Sequence, residues 1–340
     1  MDSLSQAALG AAIGVAVMGR RTRPWKAALI GALAGTLPDL DSFNDHGDPI
    51  SNMIYHRAVS HALFWQTVAS VPIATLVAFA TRETKQFRWW WLTVWLALVT
   101  HALLDWTTVY GTQLGLPFTD TPFGLGSMFI IDPMYTLPLL IGIAVALSLR
   151  NARGWRWNAA GLVLSTAYLC WSALAQQYAT SIAQESLRAQ AYQVERLLVT
   201  PAPFNTLLWR VVAITPQGYL EGFTSLLDRD RTITFDSFPR GEALYAQLRG
   251  DPKVAPYVDH IARFSRGFFK MSEQDGRAVI TDLRMGQEPR YTFNFVVAQR
   301  QSPNFAPVLP PASFAERPDI DTGLAWLWRR ALGERLPPPR

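Results

Sequence analysis

The most regular feature of this chain is a series of long apolar runs in its first half. Four of them are candidate spans, and the first and last of these approach the roughly 20 apolar residues with which a helix crosses a bilayer. The second is shorter but begins with Trp89-Trp90-Trp91, an interfacial aromatic anchor. Two shorter runs precede them and suit thin or tilted spans, or a re-entrant pair. One such run alone would also fit a buried core helix, but four or more favour a membrane domain. The predicted spans are 62–80, 89–104, 135–149 and 157–175, with 4–18 and 27–37 as the shorter pair.

Beyond residue 175 the pattern becomes that of a soluble domain. Residues 176–196 are polar and rich in Ala and Gln, which predicts a helix that leaves the membrane. Later stretches alternate between apolar and polar positions as strands do, and two others have helical character. The expected fold is an antiparallel α+β arrangement. The predicted strands are 218–227, 232–235 and 291–298, with apolar stretches within 197–214, and the predicted helices are 242–248 and 257–264.

The fold class we expect is therefore an α-helical polytopic membrane domain followed by a smaller soluble α+β domain. We assign residues 1–175 to the first and residues 176–300 to the second. Residues 301–340 contain many prolines, including Pro337-Pro338-Pro339, and predict a proline-rich tail that is extended or disordered at its end.

Basic residues lie between the apolar runs, where membrane proteins carry their orientation signals. Cytoplasmic loops are enriched in Lys and Arg. If the two short runs also cross, the chain has six spans, both termini lie outside, and loops 39–61 and 105–135 face the periplasm. The basic clusters are Arg20, Arg21, Arg23 and Lys26; Arg82, Lys85 and Arg88; and Arg150, Arg153 and Arg156.

Composition narrows the class further. Hydrophobic residues make up 49% of the chain, yet its mean hydropathy is only +0.09 because the soluble half offsets the apolar one. The net charge of +5 is too modest to indicate a nucleic-acid surface. Basic residues follow rather than precede the first apolar run, which argues against a signal peptide. Cys170 is the only cysteine, which excludes an intrachain disulfide and a cysteine-based metal site.

Acidic residues and histidines gather at the ends of the first-half runs. Asp39 and Asp41 follow an apolar run that Pro38 stops, and an extended segment would point both carboxylates to one side. Two close carboxylates repel each other unless a proton or a cation lies between them. Solvated acids at a helix end are the alternative, and the pattern leaves both interpretations open.

His56 and His61 are five positions apart, so on one helix they would diverge by roughly 140°. They converge more easily if His56 lies in a loop and His61 in a first helical turn, with Ser60 near the N-cap. Arg57 between them has the geometry to hold an anionic substrate oxygen or a carboxylate. A pair of interfacial histidines is the alternative.

His101 and Asp105 are one helical turn apart and share a helix face. His101 lies within an apolar run, where an unpaired imidazole is disfavoured. Either both side chains bind one metal ion, or Asp105 orients His101 as a ligand. The alternative is a core histidine whose hydrogen bond to Asp105 is purely structural.

Together these residues predict a site for a divalent metal ion. Mixed His and carboxylate ligands suit zinc, manganese or iron rather than calcium. We expect zinc, with manganese or magnesium as alternatives, and six ligands leave room for two ions. The predicted ligands are Asp39, Asp41, His56, His61, His101 and Asp105. Asp132 and Asp120 are further candidates on the same face, His46 is a weaker one beside the solvated Asp45 and Asp48, and His260 is interpreted as a surface or capping residue.

Several segments carry a family resemblance. Residues 1–175 resemble a family of membrane-bound metal-dependent hydrolases, also described as LexA-binding, inner-membrane-associated hydrolases. Residues 222–228 look like an extension that some members carry. At the position of Gln6 many members have a histidine, and an amide is a poorer zinc ligand than an imidazole. The matching segments are MDSLSQAALG (1–10), GTLPDLD (35–41), HRAVSH (56–61), HALLD (101–105), YGT (110–112) and IDP (131–133).

The resemblance implies an inner-membrane protein with metal-dependent hydrolytic activity, in a family distantly similar to zinc-dependent phospholipases C and related nucleases.

Our leading hypothesis is hydrolysis of a phosphoester or lipid headgroup at the outer membrane face. Asp132 would act as proton acceptor, and Arg57 would bind a phosphate oxygen. Membrane lipids are the expected partners, and no nucleic acid is expected at the site. The alternatives are a non-catalytic, metal-stabilised scaffold that presents a periplasmic interaction domain, and an ion transporter. An ion transporter would need polar residues at mid-membrane depth, and the sequence has few there apart from His101.

Overall fold

The computed structural model describes residues 1–316 and 320–340, and its first half is helical whereas its second half contains the sheets. This order confirms the predicted layout of a helical domain followed by an α+β domain. The helices are α1 (Ser3–Met18), α2 (Pro24–Thr36), α3 (Pro49–Tyr55), α4 (Leu63–Ala80), α5 (Phe87–Trp106), α6 (Pro133–Leu149), α7 (Ala152–Ala189), α8 (Glu242–Arg249), α9 (Ala255–Phe264) and α10 (Ile320–Ala331), with 3-10 helices at Leu37–Phe43, Val59–His61 and Thr84–Gln86.

The backbone packs into two compact units. The second unit includes α3 and the last part of α7 in addition to the sheets. The first unit comprises Met1–Asn44, His56–Leu174 and Pro203–Asn205, and the second comprises Asp45–Tyr55, Ala175–Ala202 and Thr206–Arg340.

Two helices in the described part of the chain, α4 and α7, are long and apolar enough to cross a bilayer, whereas α1 and α6 are apolar but shorter. The 38 residues of α7 span about 57 Å at 1.5 Å per residue, which is more than the roughly 30 Å hydrocarbon core. The predicted span 157–175 and the polar helix predicted after it are therefore one continuous helix. The full set of six spans stays a prediction.

Helices α1 and α2 pack backbone to backbone through glycines. Gly10 and Gly14 on α1, and Gly31 and Gly35 on α2, are each four residues apart, a spacing that lets membrane helices approach closely. A Cβ atom added at Gly10 would lie 2.1 Å from the carbonyl oxygen of Gly31. One added at Gly35 would lie 2.8 Å from the carbonyl oxygen of Gln6, so this contact brings Gln6 and Gly35 together.

The basic loops of the first unit meet at one end of its helices. The loop between α1 and α2 contacts α7, because the Arg20 guanidinium lies 4.8 Å from the centroid of the Trp155 ring. The start of α2 contacts the loop after α4, because Lys26 forms an ion pair with Glu83 at 2.8 Å. The positively charged ends of these helices are therefore next to one another.

The second unit contains two four-stranded antiparallel sheets and a two-stranded ribbon in the part of the chain that the structure describes. The strand orders are β1-β2-β3-β4, β10-β9-β6-β5 and β7-β8. The predicted strands 218–227 and 291–298 overlap β3 and β9, respectively. The predicted helices 242–248 and 257–264 overlap α8 and α9, respectively. The strands are β1 (Arg196–Pro201), β2 (Leu208–Thr215), β3 (Gly218–Ser225), β4 (Phe235–Phe238), β5 (Phe269–Gln274), β6 (Arg277–Asp282), β7 (Gly286–Gln287), β8 (Arg290–Tyr291), β9 (Asn294–Gln301) and β10 (Asn304–Phe314).

Strand β10 and helix α10 correct the interpretation of residues 301–340 as a tail. β10 pairs with β9 at the edge of its sheet, and an edge strand tolerates proline because one side of it needs no N–H donors. Pro307, Pro310 and Pro311 all lie in β10. Residues 317–319 of the predicted tail lie outside the described residues.

Candidate metal centre

Two buried histidines meet in the first unit, one from α5 and one from the segment before α4. The Nδ1 atom of His101 donates a hydrogen bond to the carbonyl oxygen of Gly35 at 2.6 Å. Because a carbonyl only accepts, Nδ1 carries the hydrogen, and Nε2 of the neutral ring keeps its lone pair. This Nε2 atom lies 3.0 Å from Nε2 of His61.

The opposite side of the His61 ring is held by polar side chains. Its Nδ1 atom lies 2.8 Å from the Ser60 hydroxyl and 3.4 Å from Oδ2 of Asp41. A carboxylate at Nδ1 favours the tautomer that leaves Nε2 free for a metal ion. Ser60 also donates to Asp41. Ser60 therefore does not cap α4 as the sequence suggested, since the N-cap is Ala62 and has no side-chain hydrogen bond.

Two carboxylates complete the group of ligand atoms. Oδ1 of Asp39 lies 3.5 Å from Nε2 of His61 and 3.4 Å from Nε2 of His101. Oδ2 of Asp105 lies 3.2 Å and 3.5 Å from the same two nitrogens. Ligands at zinc distances of 2.0–2.1 Å are about 3.3 Å apart in a tetrahedron. The separations of both carboxylates from the two imidazoles are close to this value, and all four side chains offer ligand atoms within 4.8 Å of one another, so the group could hold one metal ion.

The carboxylates and imidazoles shift one another's pKa. Burial acts to raise the pKa of Asp39, but the imidazoles of His101 and His61 hold it well below its usual range. Burial acts to lower the pKa of His61, but the carboxylates of Asp105 and Asp39 raise it to about 9. At neutral pH the metal-free site therefore keeps a proton on His61, where a metal ion would supply positive charge.

The residues present fit a divalent metal ion. Oδ2 of Asp105 is buried and has ion-pair contacts with Arg57 and the two histidines but no hydrogen bond of good geometry. A divalent cation among the four side chains would add the positive charge that two close carboxylates, one of them fully buried, favour. Two imidazole nitrogens and two carboxylate oxygens are donors that zinc, manganese and iron accept.

Arg57 brings a further positive charge to this site. Its φ of +65° is unusual for a non-glycine residue, and its backbone N–H donates to Oδ2 of Asp41 at 3.1 Å. Its Nε atom lies 3.1 Å from Oδ2 of Asp105. The guanidinium also donates to Thr108 at 3.2 Å and lies 4.9 Å from the Tyr110 ring centroid. Arg57 therefore places a guanidinium beside one carboxylate of the group of four.

Asp41 and His56, both predicted as ligands, lie behind His61 rather than among the four ligand atoms. Oδ1 of Asp41 accepts a hydrogen bond from Nδ1 of His56 at 2.8 Å. Its Oδ2 accepts from the Arg57 backbone and from Ser60. Asp41 thereby holds the segment that presents both Arg57 and His61, and direct ligation by Asp41 or His56 stays a prediction.

Asp132, the predicted proton acceptor, has other partners. It is the N-cap of α6, where its Oδ1 accepts from the Met134 backbone at 3.0 Å, and its Oδ2 accepts from the Tyr168 hydroxyl at 2.9 Å. It does not belong to the group of four among the described residues. The same holds for the remaining candidates, which are Asp45, His46, Asp48, Asp120 and His260.

Gln6 and Gly35 support the site in ways that the sequence did not indicate. The Gln6 side-chain amide donates to Oδ1 of Asp105 at 3.0 Å and to the carbonyl oxygen of His101 at 3.2 Å. The amino group of Met1 pairs with the same Asp105 oxygen. Gln6 could have been identified from the sequence because it is a polar residue within an apolar run. Gly35 could not, because it contributes only a backbone carbonyl, which has no sequence signature.

Comparison with known proteins gives a coarse assignment. A family model described as "YdjM inner membrane protein" matches residues 1–179, which include all four residues that could hold a metal ion. The chain is also 24% identical over 320 residues to the uncharacterized protein YfhP of Bacillus subtilis (strain 168), and the match covers 87% of this chain and 90% of the relative. No solved structure matches the chain.

Proposed function

Because the chain belongs to the YdjM inner membrane protein family, we propose that it is a multi-pass inner-membrane protein with a metal-dependent hydrolytic site. The observation that carries this proposal is the convergence of Asp39, His61, His101 and Asp105 within the matched region. The ion would lower the pKa of a bound water towards neutrality and polarise a scissile phosphoester.

We place the metal centre on the periplasmic side, opposite the basic loops. α2 begins at the first basic loop and ends before Asp39, and α5 begins at the second basic loop and carries Asp105 in its last turn. α4 runs the other way, from a point just after His61 to the second basic loop. The ligands therefore lie at the helix ends remote from the basic loops, which the positive-inside rule assigns to the cytoplasm.

Cysteine labelling tests this orientation. In a Cys170→Ser background, a single cysteine at the exposed Phe43 should react with a membrane-impermeant maleimide in intact cells. A single cysteine at Lys85 should react only after the membrane is opened. The reverse pattern would contradict a periplasmic site.

The residues of the site suit an anionic substrate such as a phosphoester. Asp39 is the most exposed of the four ligands, with 21% of its side chain accessible, so water and substrate would approach past it. Arg57 would neutralise a phosphate oxygen by a charge-assisted hydrogen bond. Asp132 is a weak choice of proton acceptor because its carboxylate already caps α6. A site at the ends of membrane helices lies near lipid headgroups, so we propose a headgroup phosphoester.

A structural metal site is the second candidate function. Four protein ligands would fill the coordination of zinc, which is typical of structural rather than catalytic sites. Such an ion would tie α2, α5 and the segment before α4 together, and the protein would act as a scaffold. Manganese or iron with six ligands would instead leave two positions for water and substrate.

A turnover assay distinguishes the two candidate functions, enzyme and scaffold. Purified protein in detergent, loaded with zinc, manganese or magnesium, is incubated with a phospholipid and with bis-p-nitrophenyl phosphate. Hydrolysis that disappears in His101→Ala but persists in His260→Ala supports the enzyme. Stoichiometric metal binding with no turnover for any ion supports the scaffold instead.

A further inference from the structure

A buried glutamate in the second unit contacts two arginines, although one suffices to balance its charge. Glu221 on β3 is fully buried, and its Oε1 accepts a hydrogen bond from Nε of Arg210 on β2 at 2.8 Å. Arg210 also donates to the carbonyl oxygen of Leu283 and to the Tyr291 hydroxyl. This pair is satisfied within the sheets, so a second cation at Glu221 is not required to offset its burial.

The second cation is Arg340, which fills a site built for a guanidinium. Its Nη1 atom donates to Oε2 of Glu221 at 2.9 Å and to the carbonyl oxygen of Glu288 at 3.2 Å. Its Nη2 atom pairs with Asp236, and the guanidinium lies 4.8 Å from the centroid of the Phe238 ring. We call Glu221, Asp236, Phe238 and the Glu288 carbonyl the arginine pocket.

The geometry of the arginine pocket selects arginine over lysine. Oε2 of Glu221 and the carbonyl oxygen of Glu288 accept from Nη1 of the planar guanidinium, and the Asp236 carboxylate pairs with Nη2. The Phe238 ring lies next to the guanidinium carbon. An ammonium has no planar fork to match several acceptors in this way, and it stacks less well on an aromatic ring.

The segment that carries Arg340 has a second anchor. Residues 334–340 are not part of a helix or strand. Leu336 packs against an apolar cluster that includes Phe223 and Trp326, and its carbonyl oxygen accepts from Nε1 of Trp326 at 3.3 Å. The prolines at 337–339 lack N–H donors and favour an extended polyproline helix. A leucine and an arginine therefore hold the segment from either side of the prolines.

We propose that this surface of the second unit is a receptor for an arginine-bearing, proline-rich peptide segment, and that the chain occupies it with its own residues 334–340. Proline-rich ligands bind other domains in the same manner, because a stiff extended segment loses little entropy on docking and its flanking side chains enter pockets. A segment of the same chemistry from another polypeptide would take the place of residues 334–340.

Peptide binding to the full chain and to a shortened chain tests the proposal. The probe is a fluorescent peptide with the sequence of residues 334–340, and the receptor is purified protein in detergent. The chain lacking residues 334–340 should bind the peptide saturably, and the complete chain should bind at least about tenfold more weakly because its own segment competes. A peptide with alanine in place of Arg340 should bind at least about tenfold more weakly, and one with lysine should be intermediate.

Two receptor variants make the outcome decisive. Asp236→Asn and Phe238→Leu alter the accessible side of the arginine pocket, and each should weaken binding to the shortened chain. If the shortened chain does not fold, Arg340→Ala in the complete chain is the receptor, and it should bind the peptide more tightly than the unaltered chain does. A folded receptor that does not bind the peptide, or that binds the alanine peptide equally well, overturns the proposal.

Discussion

The Nε2 atoms of His61 and His101 lie 3.0 Å apart, although the hydrogen bonds on the far side of each ring favour the tautomer in which Nδ1 carries the hydrogen. Two lone pairs aimed at one point repel unless a cation separates them. In the metal-free protein that cation is a proton on His61, which the two nearby carboxylates stabilise, and a metal ion bound through Nε2 must displace it.

Metal content should depend on the two histidines. We expect the purified protein to retain about one divalent ion per chain after dialysis, measured by elemental mass spectrometry, and His61→Ala or His101→Ala to retain almost none, since a mixed His/carboxylate site loses a ligand in each case. His260→Ala is the matched control and should retain the ion. Undiminished metal in both site variants would contradict this assignment.

Asp41 and Asp39 should behave differently when each is changed to asparagine. Asp41 orients His61 from behind, so Asp41→Asn should keep the stoichiometry and lower the affinity about 10- to 100-fold, as loss of such supporting contacts does in other metal sites. Asp39→Asn removes a charged ligand and should lower the occupancy itself. Competition with a chromogenic chelator measures both, and equal effects would show that Asp41 is itself a ligand.

Metal binding should release a proton at neutral pH. The pKa of His61 is raised to about 9, so the metal-free ring is protonated at pH 7.5 and must lose that proton to bind an ion through Nε2. The pKa of Asp39 is lowered, so this carboxylate releases none. Affinity should therefore rise with pH up to about 9. Calorimetry in buffers of different ionisation enthalpy gives the proton count, and a count of zero would contradict the predicted exchange.

Arg57 should affect turnover more than metal binding. Arg57→Ala removes a positive charge beside Asp105, so metal affinity should be unchanged or higher. Phosphodiester hydrolysis should fall about 10²- to 10³-fold, the usual effect of losing one group that stabilises a transition-state oxyanion. Arg57→Lys restores the charge without the planar fork and should recover only part of the rate. Metal loss in Arg57→Ala would instead indicate a structural role.

The glycine contact between α1 and α2 should be essential for the stability of the first unit. A methyl group at Gly31 would lie 2.1 Å from the carbonyl oxygen of Gly10, so Gly31→Ala must separate the helices at a cost of about 1–3 kcal/mol. Gly323 in α10 has open space around it, and Gly323→Ala should stabilise the protein by up to about 1 kcal/mol. Thermal unfolding in detergent compares the two, and similar shifts would contradict the close packing.

Local patterns predicted some parts of the site well. The spacing of His101 and Asp105 places both on one helix face whatever the rest of the chain does, and both side chains belong to the group that could hold a metal ion. The predictions were weaker where strands depend on distant partners. β1, β5 and β6 were not assigned separately, and the proline-containing edge strand β10 was interpreted as a tail.

Residue patterns alone predict the division into a helical and a sheet-containing half, the basic loops, and the set of candidate metal ligands. Which members of that set converge depends on how distant segments pack. His61 and His101 are 40 positions apart and Gly35 and His101 are 66 apart, and they meet because α2 and the segment before α4 both pack against α5. Asp41 holds that segment through the Arg57 backbone. Such contacts depend on how helices pack across long stretches of chain, which local periodicity and spacing do not specify.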